Sequence, residues 1–164
     1  MVINASIVSM EDKDFRNELF KYVKNNLTNS AVGIPAFGMG IPTPISFLVP
    51  NMVKHLNMSK ISKKDDEKLL KEHTPVMIII ATKEDNKKSW IESGGVYEKI
   101  ALECSKNNIS TSVWGAPIQI GNFYKGLQNI LSTNFRPQVF FRMGYCDKKV
   151  NHSPRLKTKD ILVN

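Results

Sequence analysis

The sequence predicts an α+β fold, a mixed central β-sheet flanked by helices, and three stretches carry that expectation. PVMIIIAT (residues 75–82) is an uninterrupted apolar run with three consecutive isoleucines, closed by the polar turn KEDNKKS. Such a run, rich in β-branched residues and bounded by turn chemistry, suits a strand covered on both faces. From Ser89 to about Lys106 the period lengthens. Trp90, Tyr97, Ala101 and Cys104 fall on one helical face with Val96 and Ile100 beside them, while Glu92, Lys99, Glu103 and Lys106 fall on the opposite one. That pattern predicts an amphipathic helix. Asn107-Asn108 breaks it, and ISTSVWGAP returns to extended sequence ending in glycine and proline.

The remaining elements follow in chain order. VINASIVS (residues 2–9) holds enough β-branched side chains for a short strand. Ser9 with Asp12 three residues later has the form of a capping box. It precedes a helix with Phe15, Leu19, Tyr22 and Val23 at helical spacing, ending near Asn25-Asn26, in which Phe15 and Leu19 are expected core contacts. Residues 31–51, AVGIPAFGMGIPTPISFLVPN, interrupt an apolar segment with three glycines and four prolines, so no long regular element fits. Phe37, Met39, Ile41, Phe47 and Leu48 therefore need a surface to pack on. Two readings stand: a loop buried in a subunit interface, or a lid over an aromatic cofactor.

Ser62 and Asp65 predict the cap of a charged helix that carries Leu69 and Leu70 and leads into the residue 75 strand. Beyond Pro117, Asn122 is the expected cap of a helix with Phe123, Leu127, Ile130 and Leu131 facing inward. VFFRMGY is then a strand whose Val139, Phe140 and Phe141 are interior. The polar tail ends in an apolar anchor, Ile161-Leu162-Val163, expected to wrap over the body of this chain or of a partner.

Composition bounds the function. A chain of 164 residues with 41% hydrophobic and 23% charged content is expected to form one globular domain. Its apolar runs stay short of the ~18–20 residues of a membrane span. The N-terminus lacks the pattern of a secretory signal, so a cytoplasmic protein is expected, with Cys104 buried and Cys146 a surface thiol. The net charge of +8 comes from 19 lysines and 4 arginines spread along the chain. Nucleic-acid surfaces concentrate such charge on one face, so a nucleic-acid-binding module is disfavoured and an affinity for a phosphate-bearing ligand is favoured. His55 and His73 stand apart from any metal-ligand spacing, and no metal site is predicted. GIPAFGMG follows no strand and opens no helix, so it is no dinucleotide fingerprint, and no catalytic triad or acid–base pair stands out.

Two features exceed scaffold. Gly94-Gly95 lies inside the long predicted helix, where each glycine costs roughly 1 kcal/mol against alanine but allows close approach. Trp114-Gly115-Ala116-Pro117 ends the second strand with small residues whose backbone N–H groups can face a ligand. With the tail HSPRLK, the order PVMIIIAT, SWIESGGVYEKIALECSKN, ISTSVWGAP, NFYKGLQNIL, PQVFFRMGY resembles the C-terminal half of the FMN-dependent nitroreductase family. The order of parts carries the resemblance; no single motif does.

The resemblance implies a nitroreductase-like fold with α/β/α layers, a homodimer, and FMN as cofactor for NAD(P)H-driven reduction of nitroaromatic, quinone-like or other flat acceptors. The cofactor would carry the chemistry, so no obligatory catalytic side chain is implied. Val113, Trp114, Gly115 and Ala116 match backbone that in the family approaches the reactive edge of the flavin. Arg155 matches the arginine on the FMN phosphate, with Lys157 a looser match. Family members begin with an Arg/Ser-rich phosphate grip; here the first arginine is Arg16, within a predicted helix, so the chain is expected to be an N-terminally shortened member. The alternative is a non-catalytic protein of that fold, binding flavin or a protein partner without turnover.

Overall fold

The computed structural model describes residues 1–57, 59–147 and 151–162. In chain order they form α1 (Val2–Glu11), α2 (Lys13–Tyr22), two-residue strands β1 (Val23–Lys24) and β2 (Ile34–Pro35), α3 (Thr43–Ser46), α4 (Val49–His55) and α5 (Ser59–Glu72). Then come β3 (Val76–Thr82), α6 (Lys87–Lys106), β4 (Ile109–Val113), α7 (Ala116–Gln119), α8 (Tyr124–Leu131) and β5 (Arg136–Tyr145). The chain is mixed α+β, with short 3-10 turns at Ala36–Met39 and Thr158–Asp160. No helix among the described residues is long and apolar enough to cross a membrane. Two compact units are present: Met1–Ser9 with Ser59–Asp147, and Met10–Met58 with Lys148–Asn164.

In the first unit β5 lies between β3 and β4 and is antiparallel to both, so β3 and β4 are parallel edge strands joined through α6. The strand covered on both faces is therefore β5, not β3. Phe140 and Phe141 point to opposite faces and both are buried. In β3, by contrast, Val76 and Met77 are exposed and residues 78–82 only half-buried. Pairing passes from Ile80↔Val139 to Ala81↔Pro137, leaving Gln138 as the extra residue of a bulge beside a proline.

Helix α6 packs on this sheet, with the Tyr97 ring edge-on to Phe141 at a centroid distance of 5.1 Å. It starts at Lys87, slightly earlier than expected, because the Asn86 side chain accepts the Ser89 N–H at 3.0 Å. Its buried line is Ser89, Ser93 and Cys104, with Tyr97, Ile100 and Ala101 half-buried, whereas Trp90 and Val96 are exposed. Serine is small enough to sit against the sheet, and Ser93 Oγ satisfies itself by donating to the Ser89 carbonyl at 2.7 Å. Asn107 caps the C-terminus, and Asn108 takes φ +56°, stopping the helix where the sequence predicts. In α8 only Leu127 is buried; Phe123 caps the helix in place of Asn122, and Ile130 and Leu131 face solvent.

The expected strand at residues 2–9 is helical. Ala5 and Ser9, one turn apart, are both buried, and Ser9 Oγ donates to the Ala5 carbonyl at 3.0 Å. Packing on that line overrides the β-propensity of the valines and isoleucines around it. Helix α5 begins at Ser59, ahead of Ser62, whose side chain lies outside those described; Leu69 and Leu70 are half-buried.

In the second unit Asp12, not Ser9, caps α2, accepting from the amides of Asp14 (2.7 Å) and Phe15 (3.2 Å). Arg16 Nη1 donates to the carbonyls of Met10 (2.7 Å) and Glu11 (2.9 Å), closing the end of α1. The core is Val23, Ala36, Val49 and Val53, with Leu19 and Ile41 against it; Phe15 and Tyr22 are exposed. Gly33 has φ +129°, and a Cβ there would lie 2.6 Å from the Tyr22 carbonyl oxygen, so only glycine fits where β1 and β2 pair.

Residues 31–51 form no long element before α4, as predicted, and are held by Asn26. Its backbone N–H donates to Ser46 Oγ (3.1 Å), and its Nδ2 to the Ile41 carbonyl (2.8 Å). Met39, Phe47 and Leu48 nevertheless stay exposed. Of the C-terminal apolar run, Ile161 and Leu162 are exposed rather than packed on this chain, and Val163 lies outside the described residues.

Candidate functional site

The turn that follows β4 is built by its pairing with β5. Val113 pairs with Phe141 and is exposed; the Trp114 amide donates to the Phe140 carbonyl at 2.8 Å, extending the ladder by one residue. The Trp114 indole Nε1 donates to Ser6 Oγ at 3.2 Å, which ties α1 to the turn. Gly115 has ordinary right-handed backbone angles (φ −75°, ψ −36°), and Ala116 opens α7. The glycine is thus not demanded by conformation. A Cβ there would come within 3.3 Å of Gln119 Oε1, the end of a flexible side chain.

Arg155 and Lys157 belong to the second unit, whereas Val113, Trp114, Gly115 and Ala116 belong to the first. Both basic side chains are exposed. Arg155 Nη1 folds back on its own segment, donating to the Ser153 carbonyl at 3.0 Å and to Ser153 Oγ. The Lys157 backbone caps the 3-10 turn at Thr158–Asp160.

Around the head of α6 the fold assembles a polar cluster that no motif announces. Asp85 Oδ1 accepts Trp90 Nε1 at 2.7 Å and Gln138 Nε2 at 3.1 Å, and Oδ2 lies 3.3 Å from Arg136 Nε. Gln138, the bulge residue, also donates to Thr82 Oγ1 at 3.0 Å. The Arg136 guanidinium stacks 3.6 Å from the centre of the Tyr124 ring, and its Nη2 donates to the Ile118 carbonyl at 3.3 Å. The Trp90 hydrogen bond above all, then that of Gln138, holds the Asp85 carboxyl below the usual carboxylate range; slight burial opposes and Arg136 adds to the lowering. These contacts tie the loop before α6 to β5, while Arg136 Nε and Nη1 are buried without a hydrogen-bond partner.

A cleft of about 540 Å³ opens in the second unit between residues 26–43 and 151–154, its lining including the apolar Phe37, Ile41 and Pro42 and the polar Thr28, Thr43 and His152. Among the described residues no group of three or more His, Cys, Asp or Glu could hold a metal ion.

Comparison with protein-family models, with curated proteins and with solved structures finds no match.

The sequence points to the β4 turn and Arg155, whereas the Asp85 cluster and the cleft carry no signature in it. KEDNKKS reads as turn chemistry alone, with nothing in it to mark Asp85. Gln138 and Arg136 come from far along the chain, and the cleft pairs residues that no periodicity links.

Proposed function

We propose that the chain is a nitroreductase-like flavoprotein, a cytoplasmic FMN-dependent NAD(P)H oxidoreductase reducing nitroaromatic, quinone-like or other flat acceptors as a homodimer. The observation that carries this reading is the arrangement of β3, α6 and β4 around β5, with the small-residue turn Trp114–Gly115–Ala116 at the end of an edge strand. The donor chemistry suits FMN: amides of small residues at the turn for the ring, and an exposed guanidinium at Arg155 for the phosphate. When bound, FMN would supply the hydride chemistry. The turn would orient the ring edge, and Arg155, with Lys157 adding charge, would hold the phosphate, exchanging its weak local bonds for paired charge-assisted ones.

A second copy is supported by α6. Ile91 (76% exposed) and Leu102 (61%) share an outer face with Gly94 and Gly95, where nothing lies within 4 Å of a notional Cβ. Such a face suits a closely approaching helix of an identical chain.

One observation favours the alternative, a protein of the same fold that binds without turnover. The Trp114 amide is already taken by Phe140, so it cannot also serve the ring. The test is the visible spectrum of the purified protein followed by FMN titration and NAD(P)H oxidation. A blue-absorbing flavin released on denaturation supports the flavoprotein reading, and oxidation of NAD(P)H selects turnover. Protein that is colourless and takes up no FMN sinks it.

A further inference from the structure

We infer that the cleft in the second unit binds a small aromatic carboxylate. Its volume, about 540 Å³, lies in the range of small-molecule sites and exceeds what one ring with a carboxylate needs. Phe37, Ile41 and Pro42 contribute apolar lining on which a flat ring can lie.

The same lining presents donors. A threonine hydroxyl that accepts an N–H keeps its own proton to donate. Thr43 Oγ1 accepts Asn26 Nδ2 at 3.3 Å, and Thr28 Oγ1 accepts the Ser30 amide at 3.2 Å, so each has an O–H left for a ligand. The Asn26 Oδ1 acceptor is sealed from solvent and does not compete for that role. His152 is exposed in the same lining, and no carboxylate lines the cleft among the described residues. Hydroxyl donors with an imidazole and no acidic neighbour call for an anionic, acceptor-only group. The apolar residues in the same lining call for a ring attached to it, which separates an aryl carboxylate from a bare inorganic anion. The inference uses neither Arg155 nor the β4 turn and stands independently of the flavin reading.

The experiment titrates benzoate into the 164-residue chain and follows backbone amide resonances. Expected are saturable shifts at Thr28, Thr43 and His152, with benzyl alcohol at least about tenfold weaker and inorganic phosphate leaving those resonances in place. His152→Glu and Thr43→Val, both at exposed positions, should each weaken benzoate at least about tenfold while the thermal midpoint stays put. No saturable shift, equal binding of benzyl alcohol, phosphate binding as well as benzoate, or undiminished binding by both variants would overturn the assignment. Benzoate binding retained in a protein that takes up no FMN would refute the flavin reading alone.

Discussion

Replacing Asp85 by alanine removes the acceptor around which the head of α6 is assembled. The carboxylate accepts hydrogen bonds from Trp90 Nε1 at 2.7 Å and Gln138 Nε2 at 3.1 Å, and Arg136 Nε lies 3.3 Å away as an ion-pair partner without a hydrogen bond. Hydrogen bonds to a charged group contribute roughly 1.5–3 kcal/mol each when shielded. The Asp85 side chain is 48% exposed, so solvent screening leaves about 1–2 kcal/mol for the set. In a chain of this size each kcal/mol moves the midpoint by about 2–4 °C, which predicts a fall of about 2–8 °C at neutral pH by circular dichroism. Asp85→Asn, keeping one acceptor oxygen and losing the charge, should fall by less. The pH dependence follows from the lowered carboxyl. A folded-state pKa below the unfolded value gives stability that is complete above the unfolded pKa, about 3.9, and lost as pH falls through the folded one. The gap between wild type and Asp85→Asn should therefore be constant from about pH 8 to about pH 5 and close under stronger acid. An Asp85→Ala midpoint indistinguishable from wild type, or a gap that widens on acidification, would refute the reasoning.

Gly33→Ala should destabilise by at least about 2 kcal/mol in denaturant unfolding, since φ +129° and a 2.6 Å approach to the Tyr22 carbonyl both resist a side chain; an unchanged midpoint would contradict the geometry. Gly95 is an exposed helix-interior glycine with open space around it, so Gly95→Ala should stabilise the folded chain by about 1 kcal/mol. Gly95→Trp should leave the fold intact and split the proposed dimer in sedimentation; a dimer of unchanged stability removes α6 from the interface. Arg155→Glu should melt like wild type because the side chain is exposed, yet lose FMN retention, with Arg155→Lys intermediate because it keeps charge without the fork. Fluorescence-quenching titrations of FMN showing equal affinity in wild type and Arg155→Glu would remove its phosphate role.

What the sequence determined by itself is the set of features written within a few residues. The long helix, its stop at Asn107-Asn108, the apolar strand around Phe140 and Phe141, and the irregular run between Gly33 and Leu48 all obey caps, periods and breakers that act locally. The small-residue turn after Val113 was legible for the same reason, as was the buried Cys104.

Tertiary structure decided what each face meets. Hydrophobicity marked residues 75–82 as the central strand, but centrality depends on pairing, and β5 pairs on both edges while β3 pairs with β5 alone in its sheet. Trp90 and Val96 looked like core, but the helix is seated through Ser89 and Ser93, whose small volume permits contact that their polarity conceals. Residues 2–9 carry strand propensity, yet burial of Ala5 and Ser9 one turn apart makes them helical. The Asp85–Gln138 bond spans 53 positions, and the cleft joins residue 26 to residue 154. Local propensities extend over a turn or two of chain, whereas burial and polar pairing are set by whichever distant segment the fold brings alongside.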